Sequence, residues 1–320
     1  MRILFISSSY LGDAVLTTGV LAHLMAQYPG ARFTVACGPG PADLFRANPR
    51  VDHVHVMRKK RRSGHWIDLL KEVWAQRWSM VVDLRGSATS YVLRTWRRRV
   101  LRPNHSLHRV PHIGSVLGLD PPPCPTVWLT KEAEARAAEL IPDGRTVLVI
   151  GPTANWPKKM WPSERYAQFA LQITAPGAPL EGADIMLQGG PGEQDQIGPI
   201  YEAIPQERLI DQVGSDLVTA AACFKRAALY VGNDSGLMHL AAAAGAPTLG
   251  LFGPTQENLY APWGEHAAFV RGPRCLEEIE ADPAFDRNSP DCAMGDLTVE
   301  AVYDAAIALL EKTTGKAGPR

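Results

Sequence analysis

Along the chain, short apolar runs alternate with longer stretches whose apolar residues recur at helical spacing. Residues 2–7 predict a buried strand, and residues 13–27 a helix with Val15, Leu16, Val20 and Leu24 on one face, closed by Pro29-Gly30. The rhythm continues with a strand over 33–37, a helix near 41–47, a strand over 53–57, a helix over 66–77 and a strand over 80–84. Asp120-Pro121-Pro122-Pro123-Cys124-Pro125 cannot continue regular structure, because proline offers no N–H to a helix or ladder. That segment and the stretch to about 142 are expected to pass between domains. The pattern then restarts, with strands over 146–150, 184–187, 208–210, 229–231 and 248–251 and helices beginning near Pro162, Glu193, Asp216 and Ser235. A long amphipathic helix over 299–312 closes it. Repeated βαβ units imply mostly parallel sheets covered on both faces, hence an α/β class with two doubly wound domains. The expected division is 1–128, a linker over 129–142, and 143–320. In such sheets ligands bind beyond the carboxyl ends of the strands, here at a crevice that both domains would face.

Composition adds bounds. With 320 residues, 46% of them hydrophobic and 21% charged, the chain can bury two ordinary cores. No apolar run approaches the roughly 20 residues that cross a bilayer. Gly12-Asp13 interrupts the first apolar run before it could serve as a secretion signal, so a cytoplasmic location is expected. The five cysteines are odd in number and scattered, with no Cys-x-x-Cys, which indicates neither a disulfide framework nor a zinc knuckle. Cys275 and Cys292 could pair, but reduced packing is the expectation. His105, His108 and His112 lack a neighbouring carboxylate or cysteine cluster, and Pro111 interrupts their spacing, so they are read as structural and no metal is expected.

The net charge of zero hides an asymmetry. Up to Trp128 there are 18 Lys plus Arg against 7 Asp plus Glu, net +11, and the remainder is net −11. The excess sits in Arg58-Lys59-Lys60-Arg61-Arg62 and in Arg94, Arg97, Arg98, Arg99 and Arg102, with Trp66 and Trp96 nearby. Two such runs in one half point to an anionic partner: phosphorylated lipid, a membrane surface or nucleic acid. Aromatic residues are too sparsely interleaved to favour nucleic acid.

Chemistry concentrates at Asn233-Asp234-Ser235-Gly236, where an apolar strand gives way to a helix. Backbone N–H groups at a helix start, with the helix dipole behind them, make an anion site. Gly236 permits close approach, and Asp234 or Ser235 can cap. His239 lies one turn further on, either meeting a phosphate or ribose oxygen or bonding within the core. A nicotinamide enzyme is disfavoured, since residues 7–13 lack Gly-x-Gly-x-x-Gly. A serine hydrolase is disfavoured too, because Ser235 and His239 one helical turn apart make a poor nucleophile and base.

The block VGNDSGLMHLAAAAGAPTLGLFGPT resembles the diagnostic segment of the bacterial lipopolysaccharide heptosyltransferases, glycosyltransferase family 9. Leu11-Gly12-Asp13-Ala14-Val15-Leu16-Thr17-Thr18, Lys158-Lys159-Met160-Trp161-Pro162 and Asp291-Cys292-Ala293-Met294 are similar to further family motifs. The resemblance implies a GT-B architecture of two Rossmann-like domains, the first holding the acceptor and the second the nucleotide sugar. It implies an inverting, metal-independent transfer of heptose from ADP-heptose to the lipopolysaccharide inner core, with no cofactor. Asp13 would be the base and Lys159 would neutralise the diphosphate, with Lys158 its possible substitute. Thr153, Asn155, Asp234, Ser235, Gly236 and His239 would bind the nucleotide, and Glu193 after Gly189-Gly190 would meet ribose or adenine. The family's threonine pair upstream of the lysine appears here as Thr153-Ala154-Asn155, and no Asp-x-Asp pair is present to hold Mg²⁺. The basic half would touch the anionic acceptor and the cytoplasmic face of the inner membrane. A non-catalytic binding protein of the same fold, or a transferase of another sugar nucleotide, is the alternative.

Overall fold

The computed structural model describes residues 1–283, 285–289 and 291–315. The chain forms two compact units that divide between Thr130 and Lys131. The first contains β1 (Arg2–Ile6), α1 (Leu11–Gln27), β2 (Arg32–Cys37), α2 (Ala42–Arg46), β3 (Val51–Val56), α3 (Gly64–Val73), β4 (Trp78–Asp83), α4 (Thr89–Val92), β5 (Thr95–Val100) and α5 (Arg109–Gly114). Its sheet runs β3-β2-β1-β4-β5, with every pairing parallel. Leu4, Ile6, Val81, Trp78, Leu69 and Val73 form one apolar layer between sheet and α3.

The second unit contains α6 (Lys131–Leu140), β6 (Val147–Gly151), α7 (Ser163–Ile173), β7 (Asp184–Leu187), α8 (Gly198–Ala203), β8 (Leu209–Asp211), α9 (Leu217–Arg226) and β9 (Leu229–Asn233). It continues with α10 (Gly236–Ala244), β10 (Thr248–Phe252), α11 (Glu257–Tyr260), β11 (Ala267–Arg271), α12 (Leu276–Ala281) and α13 (Val299–Thr314). Its six parallel strands run β8-β7-β6-β9-β10-β11, the doubly wound order of a dinucleotide-binding sheet. Trp161, Tyr166, Phe169 and Ile173 pack between the central strands and Val302, Ala306 and Leu309 of α13. Phe169, Ile173, Val302 and Leu309 among them each contribute about 1.5–3 kcal/mol on burial, which holds α7 and α13 to this face. The expected α/β class with two doubly wound units is therefore the observed one.

Several elements differ from expectation. The arginine run at 97–99 lies within β5, an edge strand of the first unit, and Ala267–Arg271 forms β11, an edge strand of the second. Neither shows an apolar alternation, because edge strands carry charge and half-buried residues that keep their open side from pairing with other chains. The prolines at 121–125 do not hang between units. A Cβ at Gly19 of α1 would lie 2.5 Å from Pro123 O, and Thr126 N donates to Thr18 Oγ1 at 2.9 Å. Residues 131–140, placed in the linker by sequence, form α6, which packs on α9. Pro111 does not break its helix, since it occupies the first turn of α5, where its missing N–H costs nothing.

At the second sheet's centre, Gly151 and Gly232 are paired across β6 and β9. Both face the fully buried Tyr230, whose hydroxyl lies 2.5 Å from where a Cβ of Gly232 would be, and closer still to that of Gly151. Gly151→Ala is therefore expected to cost about 1–3 kcal/mol in urea denaturation through overpacking. Combining it with Tyr230→Phe should return part of that loss.

Candidate functional site

In a doubly wound sheet the ligand crevice opens where the strand order reverses. In the second unit that point lies between β6 and β9, and the chain leaving each strand carries the expected nucleotide-binding residues. β9 is buried throughout and ends in Asn233, itself fully buried. A buried amide must find partners, and this one finds three. Its Oδ1 accepts from Trp161 N at 3.0 Å and from the Tyr166 hydroxyl at 2.9 Å, while its Nδ2 donates to Pro152 O at 2.7 Å. Burial pushes the Tyr166 phenol well up, so it stays a protonated donor. The end of β9 thus holds the loop after β6 and the start of α7 in one arrangement.

That arrangement brings Lys159 to Asp234. The Lys159 Nζ lies 3.5 Å from Asp234 Oδ2, and both side chains are mostly buried. Immediately after Asp234, Ser235 is the extended N-cap of α10, yet its hydroxyl makes no capping bond. The first-turn amides of α10 are therefore not satisfied by Ser235, and Gly236 leaves the approach to them open. Ser235 Oγ and the Tyr230 hydroxyl are near one another, but neither is in an aligned hydrogen bond. Burial pushes the Tyr230 phenol up, with Ser235 partly opposing the rise. His239 is buried one turn into α10, and its backbone N–H donates to Ser235 O at 3.4 Å.

Thr153 and Glu193 gather around Gly189, beyond β7. A Cβ on Gly189 would lie 3.1 Å from Thr153 Oγ1 and 3.4 Å from Glu193 Oε2. Glu193 folds back on its own turn, accepting from Gly190 N at 2.6 Å. Two further expected residues lie in the loop after β6. Lys158 is buried with Nζ 5.4 Å from the Phe285 ring centroid, and its carbonyl accepts from Ala293 N at 3.0 Å. Asn155 is exposed in the same loop. The motif at 291–294 supports the loop from behind: Cys292 Sγ donates to Met160 O at 2.9 Å, and Met294 is fully buried. Cys292 is free, as is Cys275, which caps α12 with Glu278.

In the first unit, Asp13 occupies the third position of α1, beyond β1 at that sheet's own reversal point. It is not the N-cap, which is Tyr10. Arg109 Nε stands 3.9 Å from Asp13 Oδ1. Arg109 Nη1 donates to His112 Nδ1 at 2.8 Å, so His112 is the Nε2–H tautomer and donates to Arg102 O at 2.8 Å. His108 caps α5 by accepting from Val110 N at 3.2 Å. The three histidines thus include a helix cap and an arginine support. Sequence reading missed Arg109, and it gave Asn233 no role although an amide ending a buried strand signals one.

The profile of Glycosyltransferase family 9 (heptosyltransferase) matches residues 73–287. An Escherichia coli protein named lipopolysaccharide heptosyltransferase 3 is 24% identical over 298 residues, spanning 80% of this chain and 84% of that protein. The solved glycosyl transferase family 9 protein from Veillonella parvula DSM 2008 superposes with a TM-score of 0.78 at 23% identity, covering 97% of both chains. The Escherichia coli ADP-heptose lps heptosyltransferase II structure gives 0.73 at 21% identity, covering 98% of this chain and 100% of that one. The shared fold is of the GT-B type.

Asn233→Ala strands Trp161 N, the Tyr166 hydroxyl and Pro152 O in the interior. At about 1–3 kcal/mol for each unsatisfied buried group, a loss of roughly 3 kcal/mol or more is expected in chemical denaturation. Asn233→Asp keeps the acceptor for Trp161 and Tyr166 but, when ionised, sets a buried charge against the Pro152 carbonyl, so its loss should be greater at neutral pH than at a pH low enough to protonate it.

Proposed function

Because the chain belongs to glycosyltransferase family 9, the heptosyltransferases, we propose that it moves a heptose from ADP-heptose to a hydroxyl of the lipopolysaccharide inner core. The acceptor oxygen bonds to the anomeric carbon as the bond to the diphosphate breaks, with inversion. The acceptor proton passes to a base and ADP departs. Both events need help from the protein, since an alcohol is a weak nucleophile and a diphosphate leaves with added charge.

One observation carries this reading: the Lys159 ammonium stands 3.5 Å from Asp234 beside the uncapped tip of α10, at the strand-order reversal. Cation and helix tip together suit a diphosphate whose charge grows as the sugar leaves. Asp234 holds the lysine until the donor arrives. Thr153 and Glu193, set around Gly189, suit the nucleoside end. Asp13 is the proposed base, its carboxylate oriented by Arg109. In this reading helix tip and lysine do the work that a divalent cation does in other sugar-nucleotide enzymes.

The first unit is proposed to meet the anionic acceptor and the inner-membrane surface from the cytoplasmic side. Support comes from its surface, where Tyr91 and Trp96 are 63% and 84% exposed beside the arginines of β5. Exposed aromatic rings beside guanidinium groups suit a phosphate-rich interface. No helix among the described residues is long and apolar enough to cross a membrane.

With ADP-heptose and truncated lipopolysaccharide, ADP release should fall by about 10²–10⁴-fold in Asp13→Ala, with ADP affinity unchanged. An unaltered rate would remove Asp13 from the chemistry, and ADP binding without turnover in the wild type would leave a binding protein. Sedimentation with anionic vesicles should weaken as salt rises from low to physiological, because exposed charges are screened over about 8–10 Å. Salt-independent sedimentation would contradict the membrane assignment.

A further inference from the structure

We propose a second site in the first unit, where His53, His55 and Glu72 bind a divalent cation of the zinc class. His53 and His55 are two residues apart on β3, so their side chains leave the same face of the strand. β3 is an edge strand, and Glu72 reaches it from α3. The carboxylate engages both rings, one oxygen toward His53 Nε2 and the other toward His55 Nδ1. The donor atoms of all three residues lie within 4.8 Å of one another. Two imidazoles and a carboxylate are the donor set that zinc, and chemically similar first-row ions, take in sites that leave one position to water.

Access and anchoring are both provided. His55 is largely buried and fixed by the sheet, whereas His53 and Glu72 are exposed and can adjust to an arriving ion. Asp68, one turn before Glu72 on α3, adds negative charge near His55 and is itself paired with Lys60 at 2.7 Å. The ligands bracket the exposed Arg58-Lys59-Lys60-Arg61-Arg62 loop, in which Arg62 and Ser63 adopt left-handed backbone angles, φ 51° and 59°. Joining β3 to α3 closes that loop at its base. A bound cation thus clasps the helix to the sheet edge and fixes how the basic run is presented. The site is two strands from β1 and takes no part in the sugar-transfer chemistry.

The test is calorimetric titration of the whole chain, stripped by chelator, with Zn²⁺ alone, supported by the visible spectrum with Co²⁺. One equivalent should bind, with affinity weakened by at least about tenfold in His53→Ala and in Glu72→Gln, since even changes behind metal ligands cost about 10–100-fold. His53 is exposed, so its variant should keep the wild-type circular dichroism, and His105→Ala should bind as wild type does. Absence of binding up to millimolar Zn²⁺, or equal binding by His53→Ala and Glu72→Gln, would overturn the site.

Discussion

The buried side-chain amide of Asn233 is the constraint on which the second unit's candidate site depends. The end of a parallel strand leaves backbone and side-chain polar groups where apolar packing stops, and each must be met or exposed. Asn233 meets three of them at once, from the loop after β6, from Trp161 and from Tyr166 on α7. An apolar residue here would leave those groups unpaired, and an ionised carboxylate would oppose the Pro152 carbonyl. Because the amide fixes the 152–161 loop against the start of α10, Lys159 reaches Asp234 without a long surface excursion. Packing from Met294 and Cys292 closes the underside of the same loop.

The two units divide the chemistry by charge. The half with net charge +11 carries the carboxylate proposed as base and the surface proposed for anionic acceptor and membrane. The acidic half, net −11, sets the Lys159 ammonium beside Asp234, just before the start of α10. Concentrating a cation and oriented amides at one point stabilises a leaving diphosphate better than spreading charge over the surface, because partly buried interactions are weakly screened. The proposed His53–His55–Glu72 clasp belongs to the other half, where it would order the basic loop.

Central strands and their helices were legible in the sequence because burial on both faces demands continuous apolar runs, as in 3–6, 147–150 and 229–231. Of the edge strands, β3 and β8 were legible too, but β5 and β11 were not. β5 reads as a charge run and β11 as a weak apolar segment, since an edge gains from repulsion and partial exposure. The polar knot at 233–236 was readable as the turn from a buried strand into a helix, but the separation of Lys158 from Lys159 was not. Adjacent residues in a tight turn point apart, and only the fold shows that Lys158 lies against Phe285. The His-x-His pair on β3 drew no reading from the sequence, because the carboxylate that meets it is 17 positions beyond His55 on a helix and needed the fold to bring it near.

The most direct measurement compares ADP with AMP binding in the wild type and in Lys159→Ala. If Lys159 and the tip of α10 receive the diphosphate, the wild type should prefer ADP strongly, and the variant should lose that preference while holding AMP as before. Equal weakening of both nucleotides, or an ADP preference that survives the substitution, would contradict it.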